Sequence, residues 1–217
     1  MNDPHAARQD TRKIILDLAE ALWLGRGFNS FSYQHISREL GVKNAAIHYH
    51  YPRKTDLGVA LIERYRRRFA RFAEAQAGLD PREQLEQYFS LTDAYHDQDQ
   101  RICPSGVLSS EYQTLPEEMQ EAARAFVAEM RAWAVTIVRD GRECGVMQYP
   151  GSPEAMGELV FAALQGALQL ARLDTAALPA VKQQVRCLLG FADADPHHEE
   201  VHDNTKKSHE PHRRQGE

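Results

Sequence analysis

The sequence predicts an all-α protein. A three-helix, helix-turn-helix domain comes first and a larger helical domain follows, about nine helices in all, with a disordered C-terminal tail. Three observations carry this reading. Apolar residues recur at helical spacing through almost every segment, and no stretch shows the alternation of a strand. Gly and Pro punctuate those segments at intervals that suit short helices and their connections. From Asp193 onward the chain is polar, rich in His and nearly free of apolar residues, too little to fold around. The 217 residues are 42% hydrophobic, enough for a core in one domain or two small ones.

Each element has a local reason. Ile14, Ile15, Leu18, Ala19 and Leu22 form one face of a first helix, with Thr11 as its expected cap and Gly25 and Gly27 at its end. Ser32 caps a second, short helix that runs to Leu40, where Gly41 breaks it. A third runs from Asn44 to His50 and stops before Pro52. The fourth, from Lys54 to Ala77, is apolar on one face through Leu57, Ala60, Leu61 and Tyr65. It then carries Arg64, Arg66, Arg67, Arg68 and Arg71, read as a solvated face. Pro81 opens a fifth helix to His96, and residues 97–101 form a polar loop. A short helix follows Cys103, and Pro116, at an expected first helical position, opens a long one to Glu143. Ser152, Pro153 and Glu154 open a helix to Leu173, and the last spans Leu178 to Phe191.

Charge is uneven. Residues 1–71 hold thirteen Lys and Arg against seven Asp and Glu, about +6, while the remainder carries about −11 of the net −5. A basic head on an acidic body suits a polyanion bound at one end. No run reaches the roughly 18 apolar residues of a membrane helix, and no charged-then-apolar leader begins the chain. The expectation is a cytoplasmic protein with no membrane partner. Cys103, Cys144 and Cys187 are an odd number without CxxC spacing, which argues against a disulfide framework or a zinc knuckle.

The most informative stretch runs from Phe28 to Lys54. Ile36, Leu40, Val42 and Ile47 are spaced to hold two short helices across a Gly-containing turn. The second helix then projects Lys43, Asn44, Ala45, His48 and Tyr49. Small residues let a helix approach base edges, Asn pairs with adenine, and Lys reaches guanine or phosphate. Tyr and His at the far end suit phosphate oxygens. Ser32 and Gln34 on the preceding helix complete the candidate DNA-facing set.

Over residues 11–62 the chain resembles the TetR family of helix-turn-helix regulators. The resemblance rests on Arg26-Gly27-Phe28, on Ile36 through Leu40-Gly41-Val42, and on Ile47-His48-Tyr49-His50-Tyr51-Pro52 followed by Lys54 and Leu57. It implies a homodimer that grips a near-palindromic DNA operator with two recognition helices. It places Lys43, Asn44 and Ala45 nearest the bases, and Tyr49, His50 and Lys54 on phosphate. Lys43 stands where the family commonly has Ser or Thr, Ala45 where Gly is common, and His48 where Tyr is often found. The domains read as 1–56 for DNA binding, 57–192 for effector binding and dimerisation, and 193–217 for the tail.

The C-terminal half holds no Ser-His-Asp arrangement, HExxH or Gly-rich phosphate loop, so no enzyme and no cofactor is expected. The resemblance implies a helical cavity for a small-molecule effector, and pairing of the last two helices with a second copy. Tyr88, Tyr95, Phe126, Met130 and Trp133 are the candidate cavity residues, apolar bodies with a few polar tips. Small residues between Leu159 and Leu170 suit close helix packing. Cys103, expected beside Arg101 and a helix N-terminus, is predicted to have a lowered pKa. The segment from Cys103 to Glu111 resembles a TetR branch that senses electrophiles or oxidants through a cysteine here. Cys144 reads as a loop thiol and Cys187 as core. The tail histidines, His197, His198, His202, His209 and His212, are read as incidental, and no metal is assigned. The expected function is a repressor released from its operator by an effector. The alternative is a thiol-based sensor acting through Cys103.

Overall fold

The computed structural model describes residues 4–97 and 103–191. Among them are nine α-helices, two 3-10 turns and no strand. The helices are α1 Pro4–Arg26, α2 Tyr33–Leu40, α3 Asn44–His50, α4 Lys54–Gln76, α5 Pro81–Asp97, α6 Pro104–Glu111, α7 Glu117–Glu143, α8 Pro153–Leu170 and α9 Ala177–Leu188. The all-α expectation holds. None of these helices is long and apolar enough to cross a membrane. Arg101 and the tail histidines lie outside the described residues.

Helix ends differ from the sequence reading where a cap was misjudged. The first helix begins at Pro4, so Thr11 sits within it and is not its N-cap. Pro116 is the residue before α7 and not its first, with an extended ψ of 151° that Pro supports as readily as a helical one. The helix expected to reach Leu173 ends at Leu170, and the last ends at Leu188.

The three N-terminal helices pack on Ile15, Ala19, Trp23, Phe28, Ile36, Ile47 and Tyr51, all buried. Two glycines set the turns. Gly27 (φ +85°) redirects the chain after α1, and Gly41 (φ +65°) closes α2 in the left-handed region. Val42 does not join this core. It is 43% exposed, because the turn after Gly41 swings it outward while Ile36 and Ile47 do the packing.

Helix α4 leaves this domain and runs beside α7. Leu57, Leu61, Ile62, Tyr65 and Phe69 form its buried face. The arginine run is less solvated than expected. Arg64 pairs with Asp17 at 2.6 Å and with Glu20, Arg68 pairs with Glu20 at 2.7 Å, and Arg66 pairs with Glu63 at 2.8 Å and with Glu129. These pairs tie α4 to α1 on one side and α7 on the other. Helices α7 and α8 pack backbone against backbone at Gly157. A Cβ at Gly157 would lie 2.5 Å from Val135 Cα, so this approach requires glycine.

Candidate nucleic-acid interface and helical cavity

The sequence builds the N-terminal interface from an anchored base outward. Tyr33 is buried, and its hydroxyl donates to the carbonyls of Tyr51 at 2.8 Å and Arg53 at 2.6 Å. That clasp fixes the chain leaving α3 against the start of α2. Burial, reinforced by Asp56, pushes the phenol well above its ordinary range, so it stays a donor. Tyr51 is buried at the same seam and accepts from Arg12 Nε at 3.1 Å, so it is a packing residue. The Ser32 backbone amide donates to His35 Nδ1 at 3.1 Å, closing the first turn of α2.

Upon this base α3 presents its polar face. Lys43, Asn44, Ala45, His48 and Tyr49 are exposed while Ile47 between them is fully buried. Tyr49 is 64% exposed, a large aromatic in solvent, and its ring meets His50 edge-on. Ser32 and Gln34 are exposed on α2. His48 packs edge-on to Tyr33 at 4.7 Å, with Nδ1 placed 3.1 Å from the Pro52 carbonyl oxygen. That contact orients the imidazole and leaves its other nitrogen toward solvent.

Lys54 behaves differently. Its ammonium donates to the carbonyls of Phe28 and Phe31 and lies 4.3 Å from the centre of each of their rings. Burial lowers its pKa, with Glu111 opposing. It closes the Phe28–Ser30 turn from beneath.

In the C-terminal half, Tyr65, Arg68, Phe69, Phe72, Leu91, Tyr95, Phe126 and Met130 surround a cavity of about 60 Å³. Tyr95, Phe126 and Met130 were expected there. Trp133 stands just behind, edge-on to Phe69 at 5.6 Å and Phe72 at 5.5 Å, and Tyr88 meets Trp133 at 5.4 Å. These two back the wall without lining it. Tyr65 was missed as a cavity residue because its position repeats the apolar face of α4.

Cys103 precedes α6 and is fully buried, its sulfur 3.0 Å from Ser105 Oγ. Burial pushes its thiol pKa up, and hydrogen bonds from Ser105 and Gln165 only partly offset this. The expected lowering is therefore reversed: desolvation outweighs the helix N-terminus. Cys187, expected in the core, is exposed on α9, and Cys144 is exposed at the end of α7.

Glu111, at the far end of α6, bridges the two halves. Its carboxylate accepts from Trp23 Nε1 at 2.6 Å and from the Phe28 amide at 2.9 Å. Asn29 adds a bond to Thr114 at 3.0 Å, and Arg53 pairs with Glu118 at 2.9 Å. In the sequence Glu111 stands only as the end of the Cys103 segment; its bridging role is hidden because its partners lie more than eighty residues away.

Residues 15–61 match the family model for bacterial regulatory proteins of the tetR family. A solved transcriptional regulator of the TetR family from Agrobacterium tumefaciens is 31% identical, with a TM-score of 0.79. The likeness covers 84% of this chain and 99% of that one. The chain belongs to the TetR family. Among curated proteins, the transcriptional regulator AcuR of Cereibacter sphaeroides is 26% identical over 156 residues, 69% of this chain and 70% of that protein. The transcriptional repressor NemR of Escherichia coli is 25% identical over 171 residues, 76% and 85% of the two chains.

This TetR-family chain is thus a helix-turn-helix, DNA-binding regulator of transcription. The family resemblance assigns Lys54 to phosphate. Its ammonium instead faces the protein interior, held by two carbonyls and two rings. Asn44, Ala45, His48 and Tyr49 of α3, in contrast, are exposed, as a recognition helix requires.

Proposed function

We propose that the protein is a repressor that binds a near-palindromic operator as a homodimer and is released by a small molecule held in its C-terminal half. The observation that carries this reading is the outward polar face of α3 on a base that Tyr33 and Ile47 make rigid. A rigid base lets one helix be aimed into a major groove, with Lys43, Asn44 and Ala45 at its leading end and Tyr49 and His50 beside phosphate. The name of the relative NemR supports the sign, repression. The protein acts in the cytoplasm, where its DNA is.

Dimerisation is supported by the outer face of α8 and α9. Leu159, Leu170 and Leu188 are 49%, 56% and 39% exposed, and Ala162 and Gly166 lie exposed between the first two. Leucines interleaved with small residues allow a second pair of helices to approach closely. Signal transfer is supported by α6. One end carries Cys103 beside the buried aromatic cluster, and the other carries Glu111 on the N-terminal domain. A ligand that displaces α6 has a direct lever on Trp23 and the Phe28–Ser30 turn.

The thiol-sensor reading gains a specific position and loses a reactive state. Cys103 sits on the lever helix, yet its buried, protonated thiol is a poor nucleophile. The reversible-ligand reading is therefore preferred. Titration of the full chain onto a duplex from upstream of its own gene, with and without a mild oxidant, separates them. Tight, salt-dependent binding indifferent to oxidant supports the ligand reading. Binding lost on oxidation, and retained in Cys103→Ser, supports the sensor.

A further inference from the structure

The cavity between α4, α5 and α7 has a wall that does not satisfy itself. The Tyr65 hydroxyl is buried on that wall and has no hydrogen-bond partner. Behind it, Gln165 Oε1 is also buried and unpartnered, and the buried Tyr88 hydroxyl lies against the Gln165 side chain. Burying such groups unpaired is costly, and native cores hold few of them. The rest of the lining is mostly apolar, with Phe69, Phe72, Phe126, Leu91 and Met130.

Charge around the cavity is already spent. Arg68 on its rim pairs with Glu20, and neighbouring Arg64 pairs through both terminal nitrogens with Asp17 and Glu20, leaving only its buried Nε without a partner. Among the described residues lining the cavity, Arg68 is the one cation and is already paired, so a buried carboxylate would meet no unpaired cation there and a buried ammonium no carboxylate. Three phenols, Tyr65, Tyr88 and Tyr95, are held protonated by burial and can each donate. A volume near 60 Å³ accommodates little more than water, so an organic ligand must push aside the half-buried Phe72 and Leu91.

We propose that this cavity takes a small, uncharged, planar molecule carrying a hydroxyl or carbonyl oxygen, which hydrogen-bonds the Tyr65 hydroxyl. Aromatic walls hold its body, and the polar seam of Tyr88 and Gln165 extends toward Cys103. The assignment rests on the effector reading above and names the chemical class of that effector.

The test is calorimetric titration of the full chain with phenol, toluene, benzoate and benzyltrimethylammonium, together with Tyr65→Phe and Tyr88→Phe. Phenol is expected to bind at least about tenfold more tightly than toluene or either ion, the margin of one well-placed hydrogen bond. Tyr65→Phe should erase the phenol–toluene margin while leaving the melting temperature unchanged or higher, because the hydroxyl it removes is unpartnered. Benzoate or benzyltrimethylammonium binding as tightly as phenol would overturn the proposal. So would no phenol binding at millimolar concentration, or a phenol margin that survives Tyr65→Phe. A duplex titration in the same samples reports on the regulator separately. Phenol bound without change in DNA affinity would count against effector release and not against the ligand class.

Discussion

Glu111 holds Trp23. The carboxylate at the end of α6 accepts the indole N–H at 2.6 Å, and the same group accepts the Phe28 amide. Trp23 is almost fully buried, so its N–H has no recourse to water. Glu111→Ala leaves two buried donors unpaired. The expected cost is about 1–3 kcal/mol, or roughly 2–10 °C in melting temperature for a chain of this size. Chemical denaturation of wild type and variant measures it; a variant of unchanged midpoint would remove Glu111 as a structural bridge.

Gly27 supports the same junction. Its φ of +85° disfavours any side chain, and an added Cβ would lie 2.2 Å from Glu111 Oε1. Gly27→Ala should therefore destabilise more than Gly25→Ala, whose Cβ meets nothing within 4 Å. Melting curves of the two variants side by side decide it, and equal losses would mean the junction is plastic.

Lys43, Asn44 and Lys54 should separate by how they fail. Asn44→Ala is expected to lose about 1–3 kcal/mol of discrimination at one base position. Lys43→Ala should weaken binding and lower the salt slope by about one. Lys54→Ala should lower the melting temperature, because two carbonyls lose their donor, while leaving the salt slope nearly unchanged. A salt slope that falls by about one in Lys54→Ala would return this residue to phosphate.

The thiols should react in an order set by burial. Cys144 and Cys187 are exposed and Cys103 is not, so iodoacetamide followed by mass analysis should label the first two and spare the third. Cys103 labelled first would revive a reactive thiolate.

Burial of Cys103 also sets a pH dependence. A thiol whose pKa is raised on folding keeps its proton when the unfolded chain has lost it. Its contribution to stability is present below the unfolded value and is lost as pH rises through and above about 9. Buried Tyr65, Tyr88 and Tyr95 act in the same sense at higher pH, and Lys54 acts in the opposite sense. Denaturation from pH 8 to 10 should show falling stability, less steeply in Cys103→Ser. Parallel curves would exclude the thiol as a source.

What the sequence revealed and what it concealed follow one division. Periodicity and breakers located the helices, and the stretch from Gly41 through Pro52 located the recognition helix, because those signals are local. Tyr65 was masked by the apolar face of α4 that it continues, and Glu111 and the inward turn of Lys54 were illegible because each depends on partners far along the chain. Cys103 was misread for the same reason. A helix start can be read from the sequence near Pro104, but the desolvation that outweighs it comes from burial in the packed fold, where Tyr88 and Tyr95 are neighbours.

The most direct test of the central claim is selection of duplexes from a random pool by the full chain, followed by a salt series on the enriched sequence. The account predicts a near-palindromic site bound by two protomers. The preference over random duplex should be at least about a thousandfold, with affinity that falls steeply with salt. A pool that shows no enrichment, or an enriched duplex bound no better than random DNA, would contradict it.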